Sequence, residues 1–132
     1  MLVRPYEPKD LQALKAMHAA QGFDYAFPDL DDPIFLSKLV VEDDQGRAVM
    51  ASLLRLTAEA YLLLDPRAGR PRERWWRFLA LHEAARRDAF ALGLDDAQAF
   101  VPPKVERSFA RRLAKLGWVK DPWPAYCRRV EV

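Results

Sequence analysis

Arginine is concentrated in one short segment of this chain. Between residues 67 and 77 a single glutamate and two tryptophans are interspersed with Arg67, Arg70, Arg72, Arg74 and Arg77. Guanidinium groups bind phosphate oxygens through paired, charge-assisted hydrogen bonds, so this segment is a candidate phosphate-binding site. Its tryptophans also suit base stacking on a nucleic acid or a homodimer interface. The net charge of only +2 argues against a nucleic-acid partner.

Carboxylates gather in a second segment, the loop of residues 23–33. Its acidic residues lie among aromatic residues and prolines, and they are Asp24, Asp29, Asp31 and Asp32. A loop of this charge suits a cationic amine ligand. Acidic residues beside proline also cap turns and face water, and the composition of the loop favours this second interpretation.

The apolar spacing predicts the elements that carry these segments. Short apolar runs predict strands at residues 2–6, 39–42, 48–56, 59–64, 97–101 and 126–130. Helical spacing predicts a first helix ending at Gly22, a helical turn at 34–36, a long helix at 72–92 and a last helix ending at Gly117. The sequence Asp-Asp-Gln-Gly at 43–46 predicts a hairpin turn. Residues 61–64 are all apolar, which is typical of a strand buried on both faces.

The composition indicates one globular domain over residues 1–132. Hydrophobic residues make up 51% of the chain and charged residues 30%, which excludes disordered and fibrous classes. No apolar run approaches the roughly 20 residues of a membrane span, and the N-terminus lacks a signal-peptide pattern. We therefore expect a cytoplasmic protein with no membrane partner. The single cysteine, Cys127, has no clustered metal ligands, so we expect a structural role for it and no metal site.

The order of these elements resembles the GNAT superfamily of N-acetyltransferases, and three short motifs agree in register. Residues 3–5 read Val-Arg-Pro ahead of an Asp-Leu pair, residues 59–66 end in Asp-Pro, and residues 116–118 read Leu-Gly-Trp. The resemblance implies an α/β (α+β) fold, with a mixed, mostly antiparallel central sheet and helices on both faces. It also implies transfer of an acetyl group from acetyl-CoA to a small-molecule or peptide amine.

The resemblance further implies where acetyl-CoA binds. In this family the strands that correspond to residues 59–64 and 97–101 splay apart and admit the pantetheine arm. The pyrophosphate sits on the N-terminus of the long helix, where free N–H groups favour an anion. By position, the cofactor-binding residues are Leu63, Leu64, Arg67, Gly69, Arg70, Arg72 and Arg74.

The cofactor loop departs from the family motif, Q/R-x-x-G-x-G/A. Gly69 is present, but Arg72 and Arg74 fall near the expected glycine positions, and Pro71 lacks a backbone donor. Two outcomes follow from this departure. In one, the arginines clamp phosphate oxygens in place of backbone N–H groups. In the other, the bulky side chains fill the cradle, a tryptophan packs over it, and CoA is excluded.

The same resemblance implies the catalytic residues. Glu59 matches a position where some members hold a carboxylate that deprotonates the amine through water. The family's tyrosine proton donor falls on Leu113, which cannot transfer a proton, so Tyr126 is the reserve candidate for the acid. Two hypotheses follow: an acyl-CoA-dependent N-acetyltransferase, or a non-catalytic GNAT-fold protein whose Arg and Trp surface binds a protein, phosphate or nucleic-acid partner.

Overall fold

The computed structural model describes residues 1–131 and has mixed α/β architecture. It contains a three-stranded antiparallel sheet, a two-stranded parallel sheet and three α-helices. The chain forms two compact units, Met1–Gln98 and Ala99–Val132. The first unit holds both sheets and two of the helices, and the second unit holds the last helix.

The antiparallel sheet is built from strands β1 (Leu2–Pro5), β2 (Phe35–Glu42) and β3 (Ala48–Arg55), in that order across the sheet. The turn between β2 and β3 is held by Asp43, whose Oδ1 accepts the backbone N–H groups of Gln45 and Arg47, both at 2.9 Å. Gly46 supplies the positive φ of +78° that this turn requires. The predicted hairpin is therefore confirmed.

Strand β2 begins earlier than its apolar pattern predicted. The Asp32 side chain accepts the backbone N–H of Ile34, and the Asp32 carbonyl accepts that of Phe35. These two bonds close a turn that leads directly into the strand. The predicted helical turn at residues 34–36 is therefore wrong, because its residues are the end of this turn and the start of β2.

Helix α1 (Leu11–Gln21) follows a short 3₁₀ turn at Pro8–Asp10 and packs on the antiparallel sheet. It ends as predicted at Gly22, which has a φ of +70° and donates its N–H to the His18 carbonyl. The core beneath it is formed by Leu14 of α1, Val40 of β2 and Leu30 of the loop between them. The acidic loop is thus anchored to the core by Leu30, which is 3% exposed.

A charged network ties the first turn to the sheet. Arg4 donates two bonds of 2.8 Å to the Asp10 carboxylate and one of 2.7 Å from Nε to Glu42. Asp10 is buried, at 5% exposure. The hydrogen bonds from Arg4 hold the pKa of Asp10 down at about 2, and Asp10 and Glu42 raise the pKa of Arg4.

The second part of the first unit is a parallel crossover. Strand β4 (Ala58–Glu59) is followed by helix α2 (Pro71–Ala91) and strand β5 (Ala97–Gln98), and β4 pairs with β5 in parallel. Arg55, at the end of β3, pairs with Asp95 and Asp96 at 2.9 and 2.8 Å and fastens the connection after α2. A parallel pair joined through a helix is the usual form of this connection.

Both parallel strands are shorter than predicted. The ladder ends where Ala60 donates its N–H to the Gln98 carbonyl, so residues 61–64 belong to no strand. Their side chains are exposed, with Leu63 at 91%. The prediction of a buried central strand here is wrong, because burial on both faces needs a paired strand at each edge and β4 pairs with β5 alone.

The second unit is organised by helix α3 (Pro103–Lys115). The helix ends at the predicted place, where the Trp118 N–H bonds to the Leu113 carbonyl and Gly117 adopts a φ of +90°. After the helix, Lys120 Nζ forms an ion pair with Glu106 Oε1 at 2.9 Å. Residues 126–131 form no strand, so the predicted terminal strand is not observed in the described part of the chain.

Candidate anion site at the start of helix α2

The loop of residues 65–70 turns sharply before helix α2. The Asp65 side chain accepts the backbone N–H of Arg67 at 2.9 Å, and the Asp65 carbonyl accepts that of Ala68 at 3.1 Å. Such an aspartate turn reverses the chain within a few residues. The loop therefore leads from the exposed residues 61–64 back onto the first turns of α2.

Two arginines of α2 hold this loop in place. Arg74 Nη1 donates to the Gly69 carbonyl at 2.7 Å, and Arg77 Nη1 donates to the Ala68 carbonyl at 3.1 Å. Gly69 has a φ of +78°, and a Cβ built on it would lie 2.9 Å from Arg77 Nη1. Only glycine fits at this position without moving the arginine.

A cavity of about 220 Å³ lies between the loop and the helix. Its lining combines apolar side chains with two guanidinium groups and one carboxylate, and the residues are Leu62, Leu63, Leu64, Asp65, Ala68, Arg74, Arg77, Phe78 and Leu81. The backbone groups of residues 61–64 form no backbone hydrogen bond within residues 1–131. The cavity thus offers apolar contacts, positive charge and free backbone donors and acceptors side by side.

The helix start itself carries further positive charge. Arg70 is the N-cap in an extended conformation without a side-chain cap, and Pro71 occupies the first turn. The first helical bond runs from the Arg74 N–H to the Arg70 carbonyl, which leaves the N–H groups of Arg72 and Glu73 directed out of the helix end. The side chains of Arg70 and Arg72 form no ion pair with any residue from 1 to 131.

The structure brings together only part of the predicted cofactor set. Leu63, Leu64 and Arg74 line the cavity, and Gly69 supports it through its carbonyl. The other predicted residues lie in the loop or at the helix start outside the lining, and they are Arg67, Arg70 and Arg72.

Sequence reasoning left Arg77 out of the cofactor set although it lines the cavity. It lies three residues after Arg74, a spacing that places two side chains on the same face of a helix. That spacing was the available signal. The contact of Arg77 with Ala68 depends on the folded loop, so the sequence pattern did not indicate it.

The two predicted catalytic residues lie in different units. Glu59 is the last residue of β4, two residues before Tyr61. The nearby Glu59 carboxylate raises the pKa of Tyr61. Tyr126 belongs to the second unit and is 98% exposed, so its assignment as an acid stays a prediction.

Comparisons with protein-family models, with curated proteins and with solved structures find no match to this chain. None of the helices within residues 1–131 is long and apolar enough to cross a membrane. The same residues contain no cluster of three or more His, Cys, Asp or Glu side chains that could hold a metal ion.

Proposed function

We propose that this chain is a divergent GNAT-type protein that binds acetyl-CoA and transfers the acetyl group to an amine acceptor. The observation that supports this most directly is the cavity where the leucines of residues 62–64 meet the arginine-rich start of α2. Apolar and cationic surfaces in contact suit a ligand with an apolar arm and phosphate groups.

The residues fit the two ends of such a ligand. Arg70 and Arg72, unpaired beside the free N–H groups of the helix start, would hold phosphate oxygens through charge-assisted bonds. The unpaired backbone of residues 61–64 would hydrogen-bond an extended amide-containing arm as an added strand does. Arg74 and Arg77 donate to loop carbonyls, so their role is to fix the loop that shapes the cavity.

We assign Glu59 the role of general base. Acetyl-CoA supplies an acyl group activated as a thioester. The Glu59 carboxylate, at the end of β4 and three residues before Leu62 of the cavity lining, would accept the proton that the acceptor amine must lose before its nitrogen is nucleophilic. The bond between the sulfur and the acetyl carbon breaks as the nitrogen–carbon bond forms, and the leaving CoA thiolate takes up a proton from solvent.

Cofactor binding is tested by calorimetric titration of CoA into the wild type and into the double variant Arg70→Ala/Arg72→Ala. We expect the double variant to lose roughly tenfold or more in affinity, because two charge-assisted contacts are removed. The matched control is Arg86→Ala/Arg87→Ala, which removes the same charge from the same helix at a distance from its start. Equal losses in both variants, or no CoA binding by the wild type, would refute the proposed site.

Catalysis is tested by thiol release from acetyl-CoA in the presence of a panel of amines. We expect Glu59→Gln to lower turnover by a factor of roughly 10²–10⁴ while CoA affinity stays unchanged. Glu131→Gln, on the exposed C-terminal segment, is the control. If the wild type binds CoA but acetylates no amine, the proposed acetyl transfer is wrong, whereas the proposed cofactor site is supported.

A second candidate function, non-catalytic binding, is favoured by one specific observation. Trp76 is 61% exposed on the same helix as the unpaired Arg72, so an aromatic and a cationic group face solvent together. Such a surface suits a protein, phosphate or nucleic-acid partner, or a second copy of the chain. Binding of inorganic phosphate or pyrophosphate with no preference for CoA would support this alternative.

A further inference from the structure

A second cavity, of about 390 Å³, lies in the first unit. It opens between the end of β1, the first half of α1 and the acidic loop, and its lining is Tyr6, Leu11, Lys15, Phe27, Pro28, Asp29, Leu30 and Asp31. It shares no lining residue with the cavity at the start of α2. Its volume is at the lower end of the roughly 300–1,000 Å³ of small-molecule pockets.

The walls of this cavity are fixed by the core. Leu30 is buried, and Tyr6, Leu11 and Phe27 pack against the same core cluster. Lys38 donates to the Leu30 carbonyl at 2.6 Å and lies 5.6 Å from the centre of the Tyr6 ring. The cavity is therefore held in shape without a ligand, which lowers the entropy cost of binding one.

The loop at the rim is held by its own hydrogen bonds. Asp29 Oδ1 accepts the Asp31 N–H at 3.0 Å, and the Asp29 carbonyl accepts the Asp32 N–H at 3.2 Å. Asp29 is thus used in the turn. The carboxylate of Asp31 accepts no hydrogen bond within residues 1–131, so it is available to a ligand in the cavity.

Three polar groups at the cavity lack partners among residues 1–131. The Lys15 ammonium, the Asp31 carboxylate and the Tyr6 hydroxyl form no ion pair and no side-chain hydrogen bond there. Burial and then the charges of Asp31 and Asp10 raise the pKa of Tyr6, so its hydroxyl stays a donor. Lys15 and Asp31 therefore border the same cavity as opposite charges that are not paired with each other, beside the Asp29 carboxylate, whose Oδ1 is engaged in the turn.

We propose that this cavity binds a small zwitterion with an apolar body, of the amino-acid class. The ligand carboxylate pairs with Lys15, its ammonium pairs with Asp31, and its apolar part packs on Leu11 and Phe27. A ligand of one charge would satisfy one side chain and face the like charge of the other, and a neutral ligand would desolvate both. This site stands apart from the proposed acetyl transfer and does not depend on it.

The test is an NMR titration of the wild-type chain with L-phenylalanine and with two analogues that each lack one charge. N-acetyl-L-phenylalanine keeps the carboxylate, and 2-phenylethylamine keeps the ammonium. We expect amide shifts at residues 6, 15, 27 and 29–31 with L-phenylalanine, and affinities about tenfold lower for both analogues. Equal or tighter binding of either analogue would overturn the proposal.

Two variants test which side chain pairs with each charge of the ligand. Lys15→Met should reduce the affinity for L-phenylalanine and N-acetyl-L-phenylalanine but not for 2-phenylethylamine, and Asp31→Asn should show the reverse selectivity. Lys9→Met and Asp24→Asn, which alter the same charges outside the cavity, are the controls. Both Lys15 and Asp31 are exposed, so the variants retain the fold, which the unchanged spectra of core residues verify.

If neither L-phenylalanine nor L-leucine shifts the cavity amides at concentrations up to about 20 mM, the cavity does not bind an amino acid with measurable affinity, and the proposal is wrong. Unchanged selectivity in both cavity variants would also remove the proposed roles of Lys15 and Asp31.

Discussion

At the scale of single residues, the ion pair of Arg4 with Asp10 has the least exposed side chains of the ion pairs within residues 1–131. Arg4 is 14% exposed and Asp10 5% exposed, and the two form paired bonds of 2.8 Å. Asp10 also accepts the Glu7 N–H at 2.9 Å. One carboxylate therefore joins β1, the 3₁₀ turn and the start of α1.

The first prediction concerns Asp10→Asn. Because the folded pKa of Asp10 is about 2 against 3.8 unfolded, its charged form stabilises the fold above pH 3.8, and this stability is lost as the pH falls through about 2. We expect the variant to lose about 2 kcal/mol of unfolding free energy at pH 7, with a smaller difference from wild type near pH 2. Urea unfolding at several pH values measures this. Asp24→Asn is the control, and a difference that does not change with pH would contradict the assignment.

The second prediction separates backbone strain from contact at Gly69. Gly69 and Gly46 share a φ of +78°, but a Cβ on Gly46 would find its nearest neighbour at 3.9 Å. Alanine at either site costs about 1 kcal/mol in the left-handed region. Gly69→Ala should cost roughly another 1 kcal/mol, because it displaces Arg77 from the Ala68 carbonyl. Equal free energies of unfolding for the two variants would show that Arg77 does not restrict the site.

At the scale of elements, the sequence predicted the helices and turns that are specified by neighbouring residues. The hairpin follows from residues 43–46, and α1 follows from apolar spacing ended by Gly22. The length of β4 could not be predicted in this way, because the run at 61–64 is buried only if neighbouring strands pair with it. The contact between the acidic loop and the core at Leu30 likewise depends on tertiary packing.

The third prediction contrasts two leucines from these elements. Leu14 of α1 is 4% exposed in the core, and Leu63 is 91% exposed. We expect Leu14→Ala to cost about 3 kcal/mol of unfolding free energy, because it leaves a cavity. Leu63→Ala should change stability by less than about 0.5 kcal/mol and should weaken CoA binding instead. A large loss of stability in Leu63→Ala would mean that residues 61–64 are buried as a strand.

At the scale of the whole molecule, the sequence could predict only those site residues that are assigned by their position along the chain. Leu63, Leu64 and Arg74 were placed by resemblance, and they line one cavity. The bonds from Arg74 and Arg77 to loop carbonyls depend on the way the loop folds back on α2, which no periodicity encodes. The cavity proposed to bind a zwitterion is lined by Tyr6, Lys15 and Asp31, which are separated along the sequence and share no motif.

The central claim is that the start of α2 and the unpaired backbone beside it bind CoA. Amide hydrogen exchange with and without saturating CoA tests it residue by residue, because bound amides exchange more slowly. We expect slower exchange at Leu63 and Leu64 and at the helix-start amides of Arg72 and Glu73, with α1 unchanged. Unchanged exchange at all four amides, or slowing confined to other elements, would contradict it.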